Sequence, residues 1–150
     1  MSKGKKARAV GINHVALEVG DIDAALEFYG SFLDFTLRSK GETMAFIDLG
    51  DQFIALSKID TQPADRKRHF GLVVDDKEAV RRILDDKGIA FLSERFMDFH
   101  DPWGNRIEIV GYDGIQFTKA ENVLRGMELD GLAKTDAAIK QLADKGMDPG

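Results

Sequence analysis

Apolar and polar residues alternate along HVALEV at 14–19, the period of a half-buried strand. The spacing then lengthens. Ile22, Ala25, Leu26, Tyr29 and Leu33 fall on one helical face behind Asp21, a residue suited to the N-cap. Strand-like runs follow at 35–39, 43–49 and 52–58, and the same succession restarts at HFGLVV, 69–74. There Asp75 or Asp76 serves as cap, Ala79, Val80, Ile83 and Leu84 form the stripe, and Gly88 marks the stop. Further strand-like runs occupy 90–93, 96–100 and 106–110, with hairpins expected at Gly50-Asp51 and at DPWGN, 101–105.

Setting His14 under His69 aligns 26 residues without a gap, with identities at His14/His69, Leu17/Leu72, Val19/Val74, Asp21/Asp76, Ala24/Ala79 and Leu37/Leu92. Each copy is thus a strand, a helix and three strands. A βαβββ unit of this size cannot cover both faces of its sheet, so the two units pack together or exchange with a partner chain. The expected organisation is a flexible basic tail at 1–8, a first module at 9–60, a linker TQPADRK at 61–67, a second module at 68–113, and an extension at 114–150. In the extension, TKAENVLRGMEL and TDAAIKQLADKG have helical character, the latter with Thr135 or Asp136 as cap and Gly146 as stop. It docks on the sheet, covers the site as a lid, or pairs with a second subunit.

Composition narrows the possibilities. The chain has 150 residues, 43% of them hydrophobic, enough for one core or two coupled small ones. It has no cysteine, which excludes disulfides and thiolate metal sites. A net charge of -5 argues against general nucleic-acid binding; Lys3, Lys5, Lys6 and Arg8 read as a solvated arm, with a phosphate-seeking arm as the alternative. The apolar runs are strand-sized and no signal-type segment follows the basic start, so a cytoplasmic protein without a membrane partner is expected.

The stretches NHVALEVGDIDAALEFYGSFLDF, RHFGLVV and above all FHDPWGNRIEIV resemble the vicinal oxygen chelate superfamily, which includes glyoxalase I, fosfomycin-resistance enzymes, bleomycin-resistance proteins and extradiol dioxygenases. The resemblance covers about residues 9 to 113. It implies an α+β fold in which two paired βαβββ modules form an open, metal-binding β-cup. The positions of His14 and His69 are metal ligands in that family, and the glutamate of its GNxIE stretch, Glu108 here, is the usual third.

The residues themselves agree with that implication. A histidine opening each repeat places two imidazoles at pseudo-symmetric points, as one metal shared between modules requires. A glutamate between Ile107 and Ile109 is a carboxylate in an apolar strand, which wants a cation. Aligning DLGDQFIALS with DPWGNRIEIV places Ala55 at Glu108, so the first copy lacks the fourth ligand that glyoxalase I-like members carry. Two histidines and one carboxylate with open positions suit Fe²⁺, Mn²⁺, Ni²⁺, Co²⁺ or Zn²⁺.

Open positions suggest a small-molecule substrate held through two neighbouring oxygens, in dioxygenase-like or lyase-like chemistry. Ala16 and Gly71, two residues beyond each histidine, leave room for it or permit close strand packing. Fosfomycin-resistance enzymes carry a threonine where Ala16 stands, which counts against that activity. A turn centred on Trp103, itself read as a rim or interface residue, sets Asp98 opposite Glu108 and His100 opposite Arg106. Asp98 and His100 are therefore the candidate catalytic acid and base, unless they only pair with Arg95, Arg106 or the turn. Tyr112 either reaches substrate or packs. The alternative function is a binding or resistance protein of the bleomycin-resistance type, without catalysis. A homodimer is expected in either case.

Overall fold

The computed structural model describes residues 5–8, 10–59 and 61–148. The first four residues, with Lys3 of the basic arm, and the expected boundary positions 9, 60 and 150 lie outside that description. In order come β1 (His14–Val19), α1 (Ile22–Gly30), β2 (Leu37–Lys40), β3 (Met44–Asp48), β4 (Phe53–Lys58), β5 (Phe70–Val74), α2 (Lys77–Asp86), β6 (Met97–His100), β7 (Arg106–Gly111), α3 (Glu121–Gly126) and α4 (Asp136–Ala143). One sheet runs β1-β4-β3-β2 and the other β5-β7-β6. This is the α+β arrangement expected, two mixed sheets with helices and a helical C-terminal extension.

The caps explain where the helices begin. Asp21 accepts from the Ala24 N–H at 2.7 Å, Asp76 from the Ala79 N–H at 3.0 Å, and Thr135 from the Ala138 N–H at 3.2 Å. Of each expected pair of caps, Asp76 and Thr135 are the ones used. Gly88 adopts φ +73° after α2 and Gly146 φ +74° after α4, as helix stops do.

The repeat is visible in the strand registers. Ala16 lies beside Ala55 in the parallel pair β1–β4, and Gly71 beside Glu108 in β5–β7. Ala55 and Glu108 therefore occupy equivalent places. One expected strand is not formed. Residues 90–93 turn back on themselves, with Leu92 N–H donating to the Asp98 carbonyl at 2.8 Å and Ser93 Oγ accepting from Phe96 N–H at 3.2 Å. These local bonds satisfy the backbone in a tight loop, and the second sheet has three strands among the described residues.

A single core joins the modules. Leu17, Val19, Ile54 and Leu56 of the first pack into one cluster with Leu72, Leu84, Ile107 and Ile109 of the second. Phe32 of the α1 end stands edge-on to Phe99 of β6, with ring centroids 5.7 Å apart. The DPWGN turn supplies the polar stitching. Asp101 accepts from the backbone of Trp103 and of Asn105, both at 2.9 Å, and from the Asn105 amide at 2.8 Å. Asn105 Nδ2 also donates to the Glu18 carbonyl of β1 at 2.9 Å.

The extension packs against the β3–β4 turn. Tyr112 packs rather than opening to solvent, at 4% exposure, and shares a 3.0 Å hydrogen bond with Thr118. Lys119 Nζ donates to the Leu49 carbonyl at 2.8 Å and pairs with Asp51 on the β3–β4 turn. Met127 fills the space above Gly50, where a Cβ would fall 2.5 Å from its sulfur. Among the described residues no helix is long and apolar enough to cross a membrane.

Candidate metal centre

His69 immediately precedes β5, and Glu108 lies on β7 two positions beyond Arg106. Their Nε2 and Oε1 atoms are 4.0 Å apart. Two donors about 2.0–2.2 Å from a tetrahedral zinc-like ion stand about 3.4 Å apart, so the pair would close by about half an ångström to share one cation. The other ring nitrogen is already committed: His69 Nδ1 donates to the Lys67 carbonyl at 2.8 Å. A carbonyl only accepts, so Nδ1 carries a proton and Nε2 is the nitrogen turned toward the carboxylate, the one that is free to bind a metal in the neutral ring.

His14 opens β1 on the other sheet. Its ring stacks on Phe53 with centroids 4.6 Å apart, and its Nδ1 bonds Asn13 Oδ1 at 2.9 Å, which leaves Nε2 exposed. A cleft of about 940 Å³ runs from the start of β1 along β5; His14, His69 and Gly71 line it, and Lys119, Leu124 and Met127 of the extension wall it. Among the described residues, no three histidine, aspartate or glutamate side chains gather closely enough to hold an ion. The structure brings two of the expected ligands together and leaves the third on a separate sheet edge.

The hairpin has the expected register, Asp98 opposite Glu108 and His100 opposite Arg106. Both candidate acid-base groups are engaged. Asp98 is 2% exposed, carries an ion pair with Arg106 and accepts from Ser93 Oγ at 3.2 Å. His100 Nε2 donates to the Asp65 carbonyl at 2.7 Å, leaving Nδ1 as its one uncommitted nitrogen. The pairing of Asp98 with Arg106 is the alternative the sequence offered for that carboxylate, and only the linker carbonyls have no counterpart among the sequence candidates. A polar linker offers no periodic signal; the one clue was the placement of Arg106 on the same strand face as Glu108.

Residues 11–109 match the Glyoxalase/Bleomycin resistance protein/Dioxygenase superfamily. The chain belongs to that family. Among curated proteins it is 26% identical over 128 residues to the metallothiol transferase FosB of Staphylococcus epidermidis, covering 74% of this chain and 90% of that one. It is 24% identical over 110 residues to the glutathione transferase FosA of Serratia marcescens, covering 65% and 78%. The solved structure of the fosfomycin resistance protein FosX of Listeria monocytogenes superposes with a TM-score of 0.59 at 14% identity, over 69% of this chain and 94% of that one. At that identity the likeness is one of fold.

Proposed function

We propose that this chain is a divalent-metal-dependent enzyme in which His14, His69 and Glu108 hold the ion. The observation that carries the reading is the convergence of His69 Nε2 and Glu108 Oε1 at 4.0 Å, with the opposite His69 nitrogen tied off by the Lys67 carbonyl. When bound, such an ion supplies Lewis-acid polarisation and a template for two neighbouring substrate oxygens. Gly71, beside Glu108 in the register, leaves space above the site for that substrate. His100 Nδ1 is the stronger proton-transfer candidate, because Asp98 is buried and already neutralised by Arg106. Lyase-like or dioxygenase-like steps suit this arrangement, and the names of the two transferase relatives add transfer of a thiol as a third form.

The cup is completed by a second copy. β1 and β5 are each the last strand of their sheet, so each carries an unpaired edge among the described strands. Pairing β1 of one copy with β5 of its partner sets the His14 of one chain toward the His69 and Glu108 of the other. Metal analysis of the purified protein and of His14→Ala, His69→Ala and Glu108→Ala tests the reading. Wild type is expected to hold stoichiometric divalent metal and each variant to lose it while remaining folded; full metal in a variant removes that residue from the site. Affinity is also expected to fall in acid, because the ligating rings must be neutral.

The second reading is a binding protein of the bleomycin-resistance type. It is favoured by the size of the cleft and by the apolar wall that Leu124 and Met127 give it. Stoichiometric metal together with turnover of any member of a panel of catechols, epoxides and thiol adducts decides for the enzyme.

A further inference from the structure

The segment between the modules is bonded along its length to the β6–β7 hairpin. Gln62 Nε2 donates to Asn105 Oδ1 at 3.0 Å, and Asp65 N–H donates to the Gly104 carbonyl at 2.8 Å. The Asp65 carbonyl accepts from His100 Nε2 at 2.7 Å, the Arg66 carbonyl from Arg106 Nη1, and the Lys67 carbonyl from His69 Nδ1 at 2.8 Å. The approach is close enough to demand glycine on the turn: a Cβ on Gly104, whose φ is +87°, would lie 2.6 Å from the Ala64 Cα. Three successive linker carbonyls are thus each engaged by a side chain of the second module.

Arg106 stands at the centre of this arrangement. Its Nε donates to Asp98 Oδ2 at 3.0 Å and its Nη2 pairs with the same oxygen, while Nη1 turns outward to the linker. Asp98, at 2% exposure, is an expensive carboxylate to bury unless paired, and the pair anchors the guanidinium fork in one orientation. From that anchor the fork grips the Arg66 carbonyl, one peptide before the carbonyl that holds His69. His14 lacks such a brace, since its Nδ1 bonds only the neighbouring Asn13. The two histidines occupy equivalent repeat positions, and only His69 has a ring nitrogen held by a linker carbonyl.

We propose that Arg106, anchored on Asp98, is a positioning residue for the metal centre: by fixing the linker it holds the Lys67 carbonyl against His69 Nδ1, which aims the Nε2 lone pair at the ion shared with Glu108. This rests on the metal reading above and adds to it that the linker is a working part of the centre. One strand then supplies both the ligand, Glu108, and the brace two residues before it.

The test uses the full chain and Co²⁺ as the probe. In metal-free wild type, nitrogen NMR of the neutral ring is expected to show the His69 proton on Nδ1 rather than Nε2. In Arg106→Gln the ring is expected to populate both tautomers, and Co²⁺ is expected to bind about 10- to 100-fold more weakly, the usual scale for losing an outer partner of a ligating histidine. Arg106→Lys keeps a cation beside Asp98 without the fork. It is expected to preserve the fold and still show the tautomer and affinity changes, so it carries the test if Arg106→Gln does not fold. An unchanged His69 tautomer with unchanged Co²⁺ affinity in Arg106→Lys overturns the proposal, even where His69→Ala abolishes binding and the metal reading stands. If wild type binds no Co²⁺ the metal reading falls, and the His69 tautomer in the two variants still decides whether Arg106 sets it.

Discussion

The hydroxyl of Tyr29 donates to Asp101 Oδ2 at 2.6 Å, joining α1 of the first module to the hairpin turn of the second. Both groups are buried. Burial pushes the Tyr29 hydroxyl well above its ordinary value, and the Asp101 carboxylate beside it adds to the rise. Removing the hydroxyl leaves a buried carboxylate short of one donor, so Tyr29→Phe is expected to lower stability by about 1–3 kcal/mol in urea denaturation at neutral pH.

The same bond fixes an alkaline limit. A group whose folded pKa is raised contributes stability that is fully present below its unfolded value, about 10 for a phenol, and is lost as pH rises through the folded value. Wild-type stability is therefore expected to fall above about pH 10. In Tyr29→Phe this part of the alkaline loss disappears, and equal slopes for the two proteins would show that Tyr29 does not set the limit.

Asp51 and Lys119 pin the extension to the β3–β4 turn, and here the sign is opposite. The hydrogen bond from Lys119 holds the Asp51 carboxyl below its usual range, so its contribution is present above about pH 4 and is lost as pH falls through the folded value. Asp51 is half exposed, so this loosens the extension rather than unfolding the chain. Hydrogen exchange across 115–132 is expected to speed up in Asp51→Asn at neutral pH and in wild type near about pH 3. Equal protection in both proteins at both pH values would place the anchor elsewhere, with Met127 over Gly50.

Much of this architecture was legible from periodicity and punctuation. The period of HVALEV and HFGLVV, the caps Asp21 and Asp76 and the stop Gly88 each state a local preference that the fold keeps. The loop at 90–93 was not legible, because its Phe91-Leu92 pair looks like a strand while Ser93 and Asp98 supply short-range bonds that favour a turn. At the site, chain order marks His14, His69 and Glu108 but carries no distances. The pairing of His69 with Glu108 follows from the parallel β5–β7 register, and the separation of His14 follows from β1 and β5 ending different sheets.

That separation makes subunit exchange testable by complementation. If each centre takes His14 from one chain and His69 with Glu108 from the other, mixing His14→Ala with His69→Ala protein after unfolding and refolding regenerates one intact centre in each mixed dimer. Metal binding is then expected to return in the mixture although each parent binds none. Light scattering is expected to report a dimer throughout. A monomer that holds metal at micromolar concentration would show that each chain closes its own site.

The last prediction separates proton transfer from bracing at His100. Its Nε2 is spent on the Asp65 carbonyl, so Nδ1 must do any proton transfer. If His100 is the acid or base, His100→Gln is expected to leave metal content and substrate affinity near wild type and to lower turnover by about a hundredfold or more, with one limb of the pH–rate profile lost. If it only holds the linker, the same change is expected to lower stability by about 1 kcal/mol and leave turnover nearly intact. Asp98→Asn resolves the remaining case, in which the carboxylate carries the proton. That change also breaks the ion pair with Arg106, so metal affinity is measured alongside turnover: a loss of turnover that tracks metal loss reports positioning, and a loss at full metal occupancy reports proton transfer. Full turnover in both variants would remove this hairpin from the chemistry and leave the base to another residue of the cup.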